Sequence, residues 1–171
     1  MSTAIDVRQA QPSDAARLHA LRAALSGETD FLLLEPQESR DGADDEGPRI
    51  AWMNERPNCL SLVADVSGQL VGFLNAMGGQ VNRQRHCCRL ALGVRRSHWG
   101  QGVATAMLAE ALSWSRRVGI VRVELTVHTT NHRALALYKR AGFQVEGTRR
   151  CSLMVAGART DEFLMSVINE A

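Results

Sequence analysis

Much of what would mark a specialised chain is missing from these 171 residues. No apolar run approaches the roughly 18 residues of a membrane span, and the N-terminus lacks the apolar core of a secretory signal. A cytoplasmic protein with no membrane partner is expected. The four cysteines, Cys59, Cys87, Cys88 and Cys151, make no C-x-x-C, and no histidine cluster stands at zinc spacing. No metal site is expected, and reduced thiols are the default. The adjacent Cys87-Cys88 pair should point to opposite faces of a strand. A net charge of +2 gives no reason for general nucleic-acid affinity. There is no internal repeat and no low-complexity stretch. The length suits one domain, 1–171, and is too short for two comfortable ones.

Charge is present but unevenly placed. Glu35 to Glu46 holds Glu35, Glu38, Asp41, Asp44, Asp45 and Glu46 against Arg40 alone, an acidic run suited either to a solvated surface or to attracting a cationic acceptor. Arg83 to Arg96 holds Arg83, Arg85, Arg89, Arg95 and Arg96 with His86, and leads into a Gly-containing loop, so an anion-binding role is expected there.

That loop is the most informative segment. A β-like run ending Leu92-Gly93-Val94 gives way to Arg-Arg-Ser-His-Trp99-Gly100-Gln101-Gly102-Val103-Ala104-Thr105, which opens an amphipathic helix. Backbone N–H groups at a helix start lack intrahelical partners, and the helix dipole adds positive charge there. Glycine lets an anion approach that backbone closely, so the segment reads as a phosphate cradle. A P-loop is excluded because no Lys follows the glycines, and a dinucleotide fingerprint fails because Thr105 stands at its third glycine.

Periodicity sketches the remainder. Strands are expected at Ile5–Gln9, Cys59–Val66, Gln69–Met77 (turning at Ser67-Gly68), His86–Val94, Val121–His128, Phe143–Arg150 and Glu162–Ile168, the last two joined around Ala156-Gly157. Helices should follow Asp14, with Leu18, Leu21 and Leu25 as its stripe, and run near Pro48–Asn54, from Gly102 to Arg117, and from an Asn131 N-cap to Ala141. This is a mixed α/β sheet covered on both faces.

A second motif, Asn131-His-Arg-Ala-Leu-Ala-Leu-Tyr138-Lys-Arg-Ala-Gly142-Phe143, follows the loop, helix and strand in order. With it the chain, from Ile5 to Ile168, resembles the GNAT superfamily of N-acetyltransferases. The tail, from Glu146 to Arg150 and Asp161 to Met165, looks like a bacterial branch acting on small amines, amino acids or protein N-termini.

The resemblance implies an α+β fold: about seven strands, mostly antiparallel, flanked by about four helices, with acetyl-CoA in the splay between the fourth and fifth strands. It implies a pantetheine arm bonded to the backbone at Leu92, Gly93 and Val94, and a pyrophosphate on Gly100, Gln101, Gly102, Val103 and Ala104, with Thr105 in the first helical turn. Asn131 would touch the cofactor arm and Tyr138 would protonate the leaving sulfur. Trp99 replaces the usual Gln or Arg of the loop and should alter packing on the adenine side. The amine would attack the thioester directly in a ternary complex, with a backbone N–H near Val94 holding the oxyanion, a contact worth about 3 kcal/mol. At pH 7 a free α-amine needs about 1 kcal/mol to lose its proton and a lysine amine about 4.6, so α-amines are easier acceptors without a strong base. Candidates for that base are Glu124, Glu35, His86, His128 or a water; the carboxylate that some relatives carry five residues before the helix Asn is Thr126 here. The family often pairs through its C-terminal strands, so a homodimer is compatible with the chain. The alternative is a non-catalytic acyl-CoA-binding module.

Overall fold

The computed structural model describes residues 4–35, 38 and 42–170. Its elements in chain order are β1 (Asp6–Gln9), α1 (Ala15–Glu28), α2 (Ala43–Asn54), β2 (Leu60–Val66), β3 (Gln69–Gly78), β4 (Cys87–Val94), α3 (Val103–Arg117), β5 (Arg122–His128), α4 (His132–Arg140), β6 (Gln144–Val155) and β7 (Ala158–Ile168). The seven strands form one sheet in the order β1-β2-β3-β4-β5-β7-β6. Every neighbouring pair is antiparallel except β4 with β5.

Two tight turns fix the hairpins. Ser67 (φ 53°) and Gly68 (φ 83°) link β2 to β3, and Ala156 (φ 48°) and Gly157 (φ 80°) link β6 to β7. Positive φ at both central residues matches the right-handed twist of the flanking strands.

Each face of the sheet is covered. The α1 stripe, Leu18, Leu21 and Leu25, is buried with Ile50 of α2 against Val63, Leu70 and Phe73. Val103, Met107, Leu108 and Ala111 of α3 pack on the other face with Leu62, Leu74, Cys88, Leu90, Val123 and Leu125. Burying one such leucine contributes about 1.5–3 kcal/mol. The approach of α3 is close: a Cβ on Gly72 would stand 3.0 Å from the Met107 sulfur. As expected for a strand, Cys88 is buried while Cys87 is half-buried.

Some boundaries differ from the sequence reading. α2 begins at Ala43, with Pro48 inside the helix. Asp44, Asp45 and Glu46 fill its first turn, where acidic groups complement the dipole, and Asp45 accepts the Gly42 N–H at 3.2 Å. β6 and β7 extend beyond Arg150 and before Glu162, because the ladder resumes after a bulge between Arg149 and Leu153. Cys151 adopts φ 50° within that bulge, breaking the alternation by which strands are read. Among the described residues no helix is long and apolar enough to cross a membrane, and no group of three potential metal ligands gathers.

One buried carboxylate ties the N-terminal strand to α1. Asp14 is 2% exposed. It accepts two bonds from Arg8 (2.7 and 2.8 Å), one from Arg17 (2.6 Å) and the Gln11 N–H (2.9 Å). The Arg8 fork, against the opposing cost of burial, holds its carboxyl well below the usual carboxylate range. Its stabilisation is therefore complete above the unfolded value of about 3.9 and is lost as pH falls toward the folded one. Asp14→Asn should lower unfolding free energy at pH 7 by about 2–4 kcal/mol. In urea titrations that deficit should narrow below about pH 4, as wild type loses the same charge.

Candidate active site

The single parallel pairing makes the site. β4 and β5 are in register only at Cys87↔Arg122, Cys88↔Val123 and Arg89↔Glu124. Beyond that, Leu90 to Val94 pair with β3 alone and Leu125 to His128 with β7 alone. The strands part, and their facing edges present N–H and C=O groups that no ladder satisfies. Such a slot suits an extended ligand that bonds to main chain. Leu92, Gly93 and Val94 lie along it, and Gly93 has no room for a side chain: a Cβ would stand 2.7 Å from Phe73 and 3.0 Å from Leu25.

The slot opens onto the glycine loop. Gly100 (φ 75°) and Gly102 (φ 87°) both occupy the left-handed region, where a Cβ is strained, and Gly102 caps α3. Ala106 donates to the Gly102 carbonyl at 2.9 Å, the first bond of the helix. The amides of Val103, Ala104 and Thr105 precede it and have no helical acceptor, which leaves them available to an anion. Gln101 points back, donating to the Ser97 carbonyl at 2.9 Å. The indole of Trp99 donates to the Val94 carbonyl at 2.7 Å, and Arg133 stacks on its ring at 4.6 Å. Trp99, expected to alter packing on the adenine side, joins the loop to the end of β4 and lines the cleft described below.

Across the slot stands α4. Asn131 caps it, accepting the Ala134 N–H at 3.2 Å, which leaves its side-chain NH2 unused by the cap. Two turns on, Tyr138 is buried, its ring tilted against Phe143 at 5.8 Å. Burial pushes its hydroxyl up to about 12.

A cleft of about 760 Å³ adjoins Trp99. Its wall comes from the end of α1 (Gly27 to Phe31), from Arg96, from His128 to Thr130, and from Val155 and Arg159 to Asp161 of the last hairpin. The candidate bases differ in where they stand relative to this wall. Glu124 does not reach it: Arg89 (2.8 Å) and Arg122 (2.9 Å) hold its carboxylate at the root of the splay. Burial there works against ionisation, but those two bonds outweigh it and keep its pKa below the ordinary value. A carboxylate so held is a poor proton acceptor. His86 is exposed at the opposite end of β4, and Glu35 is not among the lining residues. His128 is in the wall, 5% exposed, its ring edge-on to Phe31 at 5.3 Å. Thr126 lies on β5 between Glu124 and His128.

Neither charged run survives as a patch. Arg83 and Arg85 precede β4 while Arg95 and Arg96 follow it, about 26 Å apart for an eight-residue strand. Only the latter pair adjoins the loop. In the acidic run, Glu46 is buried between Arg22 and Arg49, Glu38 accepts the Glu35 N–H, and Asp44 and Asp45 belong to the start of α2. Asp41 and Arg40 lie outside the described residues. None of the described members lines the cleft. Its carboxylates are Glu28, Asp30 and Asp161, which the sequence reading missed along with Arg159. No local motif marks them, because strand pairing and the end of α1 bring them together.

The comparisons agree with this geometry. The acetyltransferase (GNAT) family model matches residues 27–143. An L-amino acid N-acetyltransferase, AaaT, of Escherichia coli (strain K12) is 32% identical over 116 residues, 66% of this chain and 70% of that protein. A mycothiol acetyltransferase of Clavibacter michiganensis subsp. michiganensis is 34% identical over 113 residues, 64% of this chain but 34% of its own length. A GNAT-family acetyltransferase from Streptococcus pneumoniae superposes with a TM-score of 0.94 at 29% identity, covering 98% of this chain and 100% of the other. A phosphinothricin acetyltransferase from Sinorhizobium meliloti, solved with acetyl-CoA, gives 0.82 at 16% identity over 96% and 88% of the two chains. The family model spans the parting strands β4 and β5, the glycine-capped helix α3 and the Asn131–Tyr138 helix: the chain belongs to the GNAT acetyltransferases, enzymes that draw their acetyl group from acetyl-CoA.

Proposed function

We propose that this protein transfers the acetyl group of acetyl-CoA to the primary amine of a small molecule, an amino acid or a protein N-terminus, by direct attack within a ternary complex. The observation that carries the reading is the parting of β4 and β5 after Arg89 and Glu124, with the free amides of α3 at one end and Tyr138 opposite. In this reading the pantetheine bonds to the edge at Leu92–Val94. The pyrophosphate takes the amides from Gly100 to Ala104, and Asn131 offers its free NH2 to the arm. Acetyl-CoA itself supplies the activated thioester.

Proton movements follow from the residues in place. His128, in the cleft wall, takes the amine proton directly or through a water. Tyr138 acts at the sulfur, but its high pKa limits what it does. Full transfer from a phenol at about 12 to a thiolate of ordinary pKa, about 8.5, is uphill by about 5 kcal/mol. Tyr138 therefore serves chiefly as a hydrogen-bond donor that stabilises the departing thiolate. A non-catalytic acyl-CoA-binding role has no observation in its favour, and an in-place Tyr138 argues against it.

Donor and acceptor sides are clamped through Glu28, the last residue of α1. Its carboxylate accepts from Arg95 Nε (2.6 Å) and from the Arg96 N–H (2.8 Å), and its carbonyl accepts from the Arg96 side chain. The loop that cradles the phosphates is thereby fixed to the wall of the acceptor cleft.

Two outcomes test the reading. Tyr138→Phe should lower kcat about 10- to 1000-fold with little change in acetyl-CoA affinity, read by mass detection of acetylated product. An unchanged kcat would remove Tyr138 from the chemistry. Glu28→Ala should weaken acetyl-CoA binding about 10-fold in titration calorimetry, the loss of one or two charge-assisted bonds. Unaltered binding would show that the clamp does not position the loop.

A further inference from the structure

Charges inside the acceptor cleft are not all spoken for. Two guanidinium groups line it, those of Arg96 and Arg159. Arg96 is engaged by Glu28 through both its side chain and its N–H. The Arg159 side chain forms no hydrogen bond or ion pair with any other described residue, its backbone being paired with Met154 in the ladder. Two carboxylates line the same space without a cationic partner among the described residues. Asp161 accepts the Cys151 N–H through one oxygen (2.7 Å), leaving the other, and Asp30 lies at the end of α1. A cleft that presents one unmatched cation and unmatched anions, all wetted, is complementary to a zwitterion.

The order of these groups along the sheet gives the zwitterion a direction. His128 of β5 is paired with Glu162 of β7. Arg159 lies three residues further along β7, about 10 Å outward at the rise of a strand. Trp99 and the end of β4 stand on the inner side, where the thioester would lie. An amine next to His128 and a carboxylate one carbon away would place the carboxylate toward the hairpin, within the reach of an arginine side chain. Arginine suits this task because its planar fork binds a carboxylate through two parallel bonds.

We infer that Arg159 anchors the α-carboxylate of the acceptor, so that the cleft selects free α-amino acids over amines and peptide N-termini that lack a carboxylate at that distance. This rests on the acetyltransferase reading above and narrows its substrate class. The position is a specificity determinant: a second ammonium, as in a polyamine, would meet like charge there, and a carboxamide would offer only one neutral acceptor. Phe31 and Val155 in the same wall give the amino-acid side chain an apolar surface.

The test compares three matched acceptors, phenylalanine, phenylalaninamide and phenethylamine, by kcat/KM with mass detection. Wild type should prefer the amino acid over the other two, and Arg159→Gln should shrink that preference about 10- to 100-fold, the worth of a charge-assisted bidentate pair. Arg159→Lys should fall between, keeping charge without the fork. Arg150→Gln, a charge change on β6 outside the cleft wall, should leave the preference as it is in wild type. Equal use of all three acceptors by wild type, or a uniform loss on all three in Arg159→Gln, would overturn the assignment. Acetyl-CoA binding is measured separately by calorimetry. Binding with acetylation of phenethylamine but not of phenylalanine sinks this inference alone, whereas failure to bind acetyl-CoA sinks the reading beneath it as well.

Discussion

A β-ladder holds only while two strands stay within hydrogen-bonding distance, and β4 and β5 satisfy that condition for three residue pairs. The rest of the architecture follows from how their separation is maintained. On one side β4 stays fully paired with β3, from Gly78↔Cys88 to Gly72↔Val94, so its course is set by the antiparallel half of the sheet. On the other, β5 is paired along its length with β7. The two halves are each rigid and are joined at a short parallel seam, whose root is locked by Arg89 and Arg122 on Glu124 and by Arg122 on Glu146. Opening the seam exposes backbone polar groups, a cost that a ligand bonding to backbone, as proposed above, would offset. Helices α3 and α4 then enter from the two sides of the gap, bringing a helix N-terminus and Tyr138 to bear on it.

This division explains which parts could be read from the chain. The glycine loop, the Asn131 cap and Tyr138 lie within 40 residues of one another, and their geometry is local: positive φ at Gly100 and Gly102, a cap bond from Ala134, two helical turns to Tyr138. Local chemistry is legible because the residues that dictate it are neighbours. The cleft beside Trp99 is assembled from the end of α1, the end of β5 and the β6–β7 hairpin, which no local sequence spacing relates. No spacing rule relates Glu28 to Arg96 or His128 to Arg159. The start of α2 was obscured for a different reason, since Pro48 reads as a helix start yet sits inside the helix. The bulge at Cys151 likewise hides β6 by breaking its alternation.

Charge was the least transferable signal. A run of arginines reads as a patch only if the chain keeps it together, and a strand of eight residues separates its ends by about 26 Å. The acidic run dissolved similarly, Glu46 into a buried cluster with Arg22, Arg49 and Asn75, and Asp44 and Asp45 into the first turn of α2. Almost every cation in the chain is arginine, Lys139 being the single lysine. That choice suits the networks observed, in which one guanidinium bridges two acceptors, as Arg17 does between Asp14 and Asp65 and Arg122 between Glu124 and Glu146. Such groups organise the fold and are spent in doing so.

Trp99 shows how a departure from a family motif is absorbed. The loop acts through main-chain amides, so the side chain at its first position is free to vary as long as the loop is held. Here the indole N–H is bonded to the Val94 carbonyl and the ring is covered by Arg133, while Arg95 and Arg96 are held by Glu28. The loop is thus tied to the strand it leaves and to the end of α1, which lines the cleft. In the proposed reading Trp99 would form part of the wall between cofactor and acceptor, and its rigid aromatic surface would limit how an amine approaches the end of β4. Varying the motif in this way leaves the backbone of the Gly100–Gly102 loop and the Gly102 cap of α3 in place, and on the proposed reading moves the change to the acceptor side of the site.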